Sequence, residues 1–273
     1  MDNKTLKTIQ QTELGILEAV TDFCEQEGIN YYLDSGTLLG AIRHNGFIPW
    51  DDDVDVAMLY PDYCRFLEIA QNGLGEKYFI QNHNTDDHFY RSYTKVRLNG
   101  VNVFSKDMEH WDVNLGAWID IFPMFYSDSD QDIRRKRRIY KFCSALQEQN
   151  YYRSCLKNSK RTLRNIARYV MLLSLCVIPM KLRKKLHSKL LDYIFSQKQG
   201  RYLCRCEMII RQFSASCYEG KVCYHQFEHL SLRIPSGYDK VLRDEYGDYM
   251  QFPPENERGN HGNLMIEFTD DQT

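Results

Sequence analysis

Apolar positions along the first quarter of the chain alternate between two periods. Leu6, Ile9, Leu14, Ile16, Leu17, Val20 and Phe23 recur at helical spacing and stop at Gly28, which predicts a helix over residues 5–28. "INYYLDSG" reads as a short strand, "TLLGAIRHNG" as a helix closing at Gly46, and the β-branched run "VDVAML" as a buried strand. "DYCRFLEIAQNGLG" predicts the next helix, and "YFIQ", "RSYTKVRLNGVNVF" and "AWIDIFPMFY" predict further strands. The mixture points to helices flanking one sheet, an α/β or α+β arrangement.

From residue 131 the pattern changes. "DQDIRRKRRIYKFCSALQEQ" and "NSKRTLRNIARYVMLLSLCVIPMKLRKKLHSKLLDYIFSQ" are helical in period throughout, with a break near Pro179. After them a strand, "SLRIP", a helix, "SGYDKVLRDEYG", and a polar tail are expected. The expected organisation is thus a domain made of residues 1–130 and 201–273, with residues 131–200 inserted in it as a basic helical module.

Charge sharpens that division. The formal net charge is only -2, with 43% apolar and 26% charged residues, an ordinary globular composition. Residues 131–200 nevertheless hold 18 Lys/Arg against three acids, a net of +15, and the remainder has 17 against 34, a net of -17. No signal peptide is visible in "MDNKTLKTIQQTELG". The nine cysteines are odd in number and irregularly spaced, which fits a reducing compartment. The longest apolar stretch, Tyr169 to Met180, falls short of the roughly 20 residues of a membrane span. A cytoplasmic, non-spanning protein is expected, in peripheral contact with the inner membrane face.

The chemistry-bearing segment is "LLGAIRHNGFIPWDDDVDVAML", residues 38–59, where Asp51, Asp52, Asp53 and Asp55 crowd together. An acidic run is often only a solvated loop, and Asp51 and Asp52 fit that reading. Asp53 and Asp55 do not, because they adjoin an apolar strand on which alternate residues share a face. Two neighbouring carboxylates repel unless a cation joins them, and hard divalent ions take such oxygen ligands together with phosphate. Asp120, between Ile119 and Ile121, is a third carboxylate on a buried strand and needs a partner or a purpose. Ser35, Gly36 and Thr37 open a helix after a strand, where backbone N–H groups and the helix dipole suit a phosphate.

These residues resemble the LicD family of phosphotransferases, whose signature runs "GTLLGAIRH–GFIPWDDDIDI". The match is nearly unbroken from Gly36 to Val56 and continues in "YTKVR" (93–97), "GAWIDIFPM" (116–124) and "FEHLSLRIPSGYDKVLRDEYGDYMQFPP" (227–254). "ERGNHG" (257–262) is similar to the family's closing element, with His261 where the family more often has paired histidines. The resemblance implies a nucleotidyltransferase-like α+β fold, a mixed sheet with flanking helices, related to fukutin and fukutin-related protein.

It further implies Mg²⁺ (or Mn²⁺) held by Asp53, Asp55 and Asp120, the last as ligand or as base. Donor phosphate would meet Gly36, Thr37, Arg43, Lys95 and Arg97, and Trp50 and His261 would contact substrate. A quaternary ammonium head group would favour an aromatic cage, for which Trp50, Trp111, Trp118 and Tyr126 stand near the motifs.

The implied reaction carries a phospho-alcohol, phosphocholine first among them, from a CDP-activated donor to a hydroxyl of a cell-surface glycan or its lipid-linked precursor. Two other readings stay open on the same residues: a nucleotidyltransferase releasing pyrophosphate, and a catalytically silent, membrane-associated glycan-binding scaffold.

Other motifs carry less. "HQFEH" (225–229) has the spacing of an inverted zinc-peptidase motif, but "LSLRIP" follows at once where a helix is needed. "SDSDQD" (127–132) lacks the glycine and glutamate of a calcium loop. Cys204, Cys206, Cys217 and Cys223 do not have the usual zinc pair spacings, and buried thiols are expected instead. The basic module fits an anionic membrane surface better than nucleic acid, since its charges flank apolar helix rather than a recognition motif.

Overall fold

The computed structural model describes residues 1–86, 89, 91, 93–105, 114–147, 162–175, 177–206, 210–259, 262 and 264–269. The chain opens with α1 (Asn3–Glu27). Asp2 caps it by accepting from the Thr5 N–H at 2.8 Å. Gly28 closes it at φ 64°, the left-handed conformation that a residue lacking Cβ adopts without strain. The buried stripe runs through Leu6, Ile9, Ile16, Leu17 and Val20, and Glu13 interrupts it.

A two-residue strand, β1 (Tyr32–Leu33), leads into α2 (Ser35–His44). Then come β2 (Asp55–Leu59), α3 (Tyr60–Gly73), β3 (Tyr78–Gln81), β4 (Thr94–Ser105) and β5 (Gly116–Ser127). The basic stretch follows as α4 (Asp130–Gln147), α5 (Leu163–Leu175) and α6 (Met180–Phe195), with Pro179 at the N-cap of α6 where the sequence predicts a break. The chain returns through β6 (Tyr202–Cys206), β7 (Ile210–Ser214), β8 (Cys223–Phe227) and β9 (Leu230–Ile234), then α7 (Tyr238–Tyr246) and β10 (Leu264–Phe268).

The architecture is α+β, a mixed sheet with flanking helices. β5 is its spine: parallel to β2, antiparallel to β4, and antiparallel to β6 farther along. β1 extends the β2 side, β3 and β10 pair with successive parts of β4, and β7 pairs with β6. β8 and β9 form a separate hairpin. Strands β6, β7, β8 and β10 are absent from the pattern reading: Arg205 and Arg211 stand inside β6 and β7 and blur their apolar runs, and β10 pairs with β4 where a polar tail was expected.

Two corrections concern the acidic segment. β2 begins at Asp55, so Asp53 precedes the strand, although the Asp120 N–H still bonds to the Val54 carbonyl at 2.9 Å and keeps the chain extended there. Asp52 is fully buried, which overturns the solvated-loop reading for that residue.

The helices of the basic stretch are fixed to the sheet. Ile133, Tyr140 and Cys143 of α4 and Leu191, Ile194 and Phe195 of α6 form a core with Phe125, Cys204 and Cys206. Tyr60 stacks on Phe195 with ring centroids 3.9 Å apart. Buried side chains of this size contribute about 1.5–3 kcal/mol each.

Candidate active site

The site is assembled by the turn that opens α2 and by the loop that follows that helix. Asp34 is the N-cap of α2 and Ser35 has φ 46°. At Gly36 a Cβ would lie 2.5 Å from Oδ2 of Asp51, so glycine is what lets the loop carboxylate come this close to the helix N-terminus. At Gly40 a Cβ would meet the Gly46 carbonyl at 2.4 Å, and the returning chain needs that space. Gln10 of α1 holds the loop from behind, donating to the Asp51 carbonyl at 2.8 Å. The Thr37 hydroxyl accepts from the backbone N–H of Asp55 at 2.8 Å, tying α2 to the first residue of β2.

Strand register then sets three charged side chains side by side. Asp55 of β2 pairs with Asp120 of β5, and Asp120 pairs with Lys95 of β4. Neighbours in register project to the same face of a sheet. Lys95 donates to Asp120 at 2.5 Å, and its ammonium lies 4.4 Å from the Trp118 ring centroid. Burial pulls the Lys95 ammonium down to about 8, against the opposing pull of Asp120. Burial, then Asp53, then Asp120 push the Asp55 carboxyl well above the usual range. Glu13 of α1 is buried and pushed up in the same direction, first by burial and then by Asp53, Asp52 and Asp51.

Farther along the same face β6 delivers Arg205, opposite Met124. The guanidinium is buried and pairs with Asp34 at 2.7 Å and with Glu245 of α7 at 2.8 Å. Arg211 lies 3.8 Å from the same Glu245 carboxylate. These groups border a cleft of about 560 Å³. Its lining holds Gly36, Asp51, Asp53, Asp55, Glu245 and Asp248 together with Arg43, Arg205 and Arg211. Trp50, Tyr246, Tyr249 and Phe252 supply aromatic surface. Arg43 donates to the Tyr249 carbonyl at 2.8 Å and its guanidinium sits 4.9 Å from the Phe252 ring centroid, so it clasps the segment after α7 to α2.

The structure therefore brings Gly36, Arg43, Trp50, Asp53 and Asp55 to one cleft and sets Asp120 in register beside Asp55. Asp120, Thr37, Lys95 and Arg97 are not among the cleft-lining residues. Thr37 positions the Asp55 backbone, and Lys95 faces Asp120. Arg97 is buried, donating to Gln81 and to the Gly116 carbonyl. Trp118 lies against Lys95 and Arg97, and neither Trp118 nor Tyr126 borders the cleft. Trp111 and His261 lie outside the described residues. Cys204 and Cys206 are buried with Cys143, apart from Cys217 and Cys223.

The sequence reading missed Glu13, Arg205, Arg211, Glu245, Tyr246, Tyr249 and Phe252. Two of these carried a readable signal. Arg205 is a charge within "YLCRC", just as Asp120 is a charge within "WIDIF", and Glu13 falls on the apolar stripe of its helix.

Among the described residues no three His, Cys, Asp or Glu side chains form a ready-made metal-ligand set. The donor chemistry still fits Mg²⁺. It uses one or two carboxylates and fills its octahedron with water and phosphate oxygens. Asp53 and Asp55 line a cleft that also holds arginines, and a divalent ion would offset both the burial and the neighbouring charges that lift the Asp55 carboxyl.

The model of the LicD/FKTN/FKRP nucleotidyltransferase domain matches residues 28–145, from the C-cap of α1 into α4, including Asp53, Asp55 and Asp120. This part of the chain carries a LicD-type nucleotidyltransferase domain. Lipopolysaccharide cholinephosphotransferase LicD of Haemophilus influenzae is 29% identical over 269 residues, 96% of this chain and 97% of that protein. Human ribitol 5-phosphate transferase FKRP is 34% identical over 92 residues, 32% of this chain and 17% of that protein. Both relatives carry the names of enzymes that transfer a phosphorylated alcohol. No helix of the described residues is long and apolar enough to cross a membrane.

Proposed function

We propose that this protein transfers a phospho-alcohol, phosphocholine in the first instance, from a CDP-activated donor to a hydroxyl of a cell-surface glycan or its lipid-linked precursor. The observation that carries the reading is the cleft's mixed lining. Asp53 and Asp55 line the same cleft as Arg43, Arg205 and Arg211, together with four aromatic side chains. A diphosphate joined to a cationic head group needs each of these surfaces. Arginines bind phosphate oxygens in a planar, bidentate manner, and aromatic faces attract a quaternary ammonium.

Phosphoryl transfer asks chiefly for positioning and for neutralising charge on the diphosphate. In this reading Asp53 and Asp55 hold Mg²⁺, which supplies the positive charge that a departing nucleoside monophosphate requires. The backbone of the turn at Ser35 and Gly36 receives a phosphate oxygen, with Thr37 fixing Asp55 beneath it. Arg205 is held rigid by Asp34 and Glu245 and so presents its charge without reorganising. Asp120 completes the acidic group as ligand or as base for the acceptor hydroxyl, while Lys95 offsets one of the charges gathered there. Trp50 and Phe252, with ring centroids 6.2 Å apart, carry the Arg258 guanidinium, and Phe252 also that of Arg43, so a head-group cation at these rings would displace Arg258.

Phosphorus NMR of the purified protein with Mg²⁺, a mixed glycan extract, and CDP-choline, other CDP-alcohols or CTP in separate samples tests this. CMP released from one CDP-alcohol, and absent with Asp53→Asn, is the expected result and names the donor. Pyrophosphate released from CTP would replace the reading with nucleotidyl transfer. Unchanged spectra in every sample would favour a silent glycan-binding scaffold.

A further inference from the structure

The most exposed apolar surface of the described residues lies on the inserted helices, away from the cleft's lining. On α5, Leu163, Ile166, Val170 and Leu173 follow one another three or four residues apart, and Val177 continues the series just past the helix. That spacing sets side chains along one face of a helix. All five are between 41% and 87% exposed. Leu175, on the other side of the helix, is buried and packs with Ala145 and Leu146 of α4, with Ile178, Leu186 and Leu190 against them. So α5 is anchored by one side and shows an apolar stripe about 20 Å long on the other.

The helices before and after α5 in the chain carry exposed basic residues. Leu182 of α6 is half-exposed beside Lys181, and Lys181, Lys185 and Lys189, four residues apart, are all exposed on the same helix. Exposed Arg134, Arg135, Arg138 and Lys141 line α4. An apolar stripe of this size on a protein surface marks an interaction site. A second copy of the same face is a poor partner, because each would bring the net charge of +15 carried by residues 131–200. A flat surface that is apolar beneath and negative at its boundary complements both features.

We infer that α5 lies in the plane of an anionic membrane surface, with Leu163, Ile166, Val170, Leu173 and Val177 entering the acyl boundary and the lysines of α6 meeting lipid phosphates. The surface is separate from the cleft, and the inference does not depend on which phospho-alcohol is transferred. It places the catalytic domain beside lipid-borne substrates.

Flotation of the full-length protein with lipid vesicles is the test. Retention on phosphatidylcholine vesicles containing phosphatidylglycerol should exceed that on phosphatidylcholine alone by about tenfold or more. The double variant Val170→Asp/Leu173→Asp should lose about tenfold of that retention, and so should Lys181→Glu/Lys185→Glu. Both alter exposed side chains and should keep the wild-type unfolding midpoint. The inference fails if both variants, folded, are retained like the wild type, or if neutral and anionic vesicles retain the protein equally. It fails also if the wild type sediments as a dimer that Val170→Asp/Leu173→Asp disperses, since the stripe would then be covered by a second copy.

Discussion

Replacing Asp53 or Asp55 by asparagine removes one charge from a group of carboxylates that repel one another inside the protein. If the pair serves chemistry, Asp55→Asn should lower turnover by on the order of a thousandfold, about 4 kcal/mol of transition-state stabilisation. Its unfolding midpoint without metal should equal or exceed that of the wild type, because burial and Asp53 already oppose the charge on Asp55. A clear loss of stability in a urea titration would make the carboxylate structural instead. Thr37 gives a contrasting case. Thr37→Val strands the buried Asp55 N–H and should cost about 1–3 kcal/mol, whereas Thr37→Ser keeps the acceptor and should cost much less. The sequence shows that Thr37 matters near phosphate chemistry. It does not show that the hydroxyl works through the backbone of the residue that faces the cleft, because a hydrogen bond across 18 positions leaves no spacing signature.

At the level of elements, two contacts join the inserted helices and the returning chain to the sheet that carries the acids. Arg205 of β6 links Asp34 before α2 to Glu245 in α7. Arg205→Met leaves two buried carboxylates without their cation and should cost about 3–5 kcal/mol in a denaturant titration. The second contact is between histidines. His187 of α6 is fully buried, its ring centroid 4.4 Å from that of His83 in the loop after β3. Burial lowers His83 to about 4, with Lys184 adding to the effect, and lowers His187 to about 3. Both are therefore neutral in the folded protein over a range where the unfolded chain takes up protons near 6.5. The stability they contribute is present above pH 6.5 and is lost as the pH falls toward 4. Between pH 7 and pH 5 the wild type should lose about 1–3 kcal/mol more than His187→Phe, measured by urea unfolding across that range.

For the whole molecule, the fold class, the helices after residue 130 and the crowding of acids were legible in the sequence, and of the basic and aromatic lining of the cleft only Arg43 and Trp50 were. Asp53, Asp55 and Gly36 stand within 20 positions of one another, so local pattern exposes them. Arg205, Tyr246 and Phe252 reach the cleft only through strand pairing and the packing of α7, which depend on contacts between distant parts of the chain. Lys95 and Arg97 looked alike in "YTKVR", yet they sit in different surroundings, one facing Asp120 and the other closing on Gln81 and Gly116. The buried pairing of Asp34 with Arg205 has a further consequence during synthesis. About 170 residues, the helical insertion among them, separate the two in the chain. At roughly 5–20 residues per second, the ribosome delivers the arginine on the order of ten to thirty seconds after the aspartate. Until then Asp34 and the turn it caps lack their counter-ion, so the nascent chain exposes a complete acidic motif long before it has a cleft.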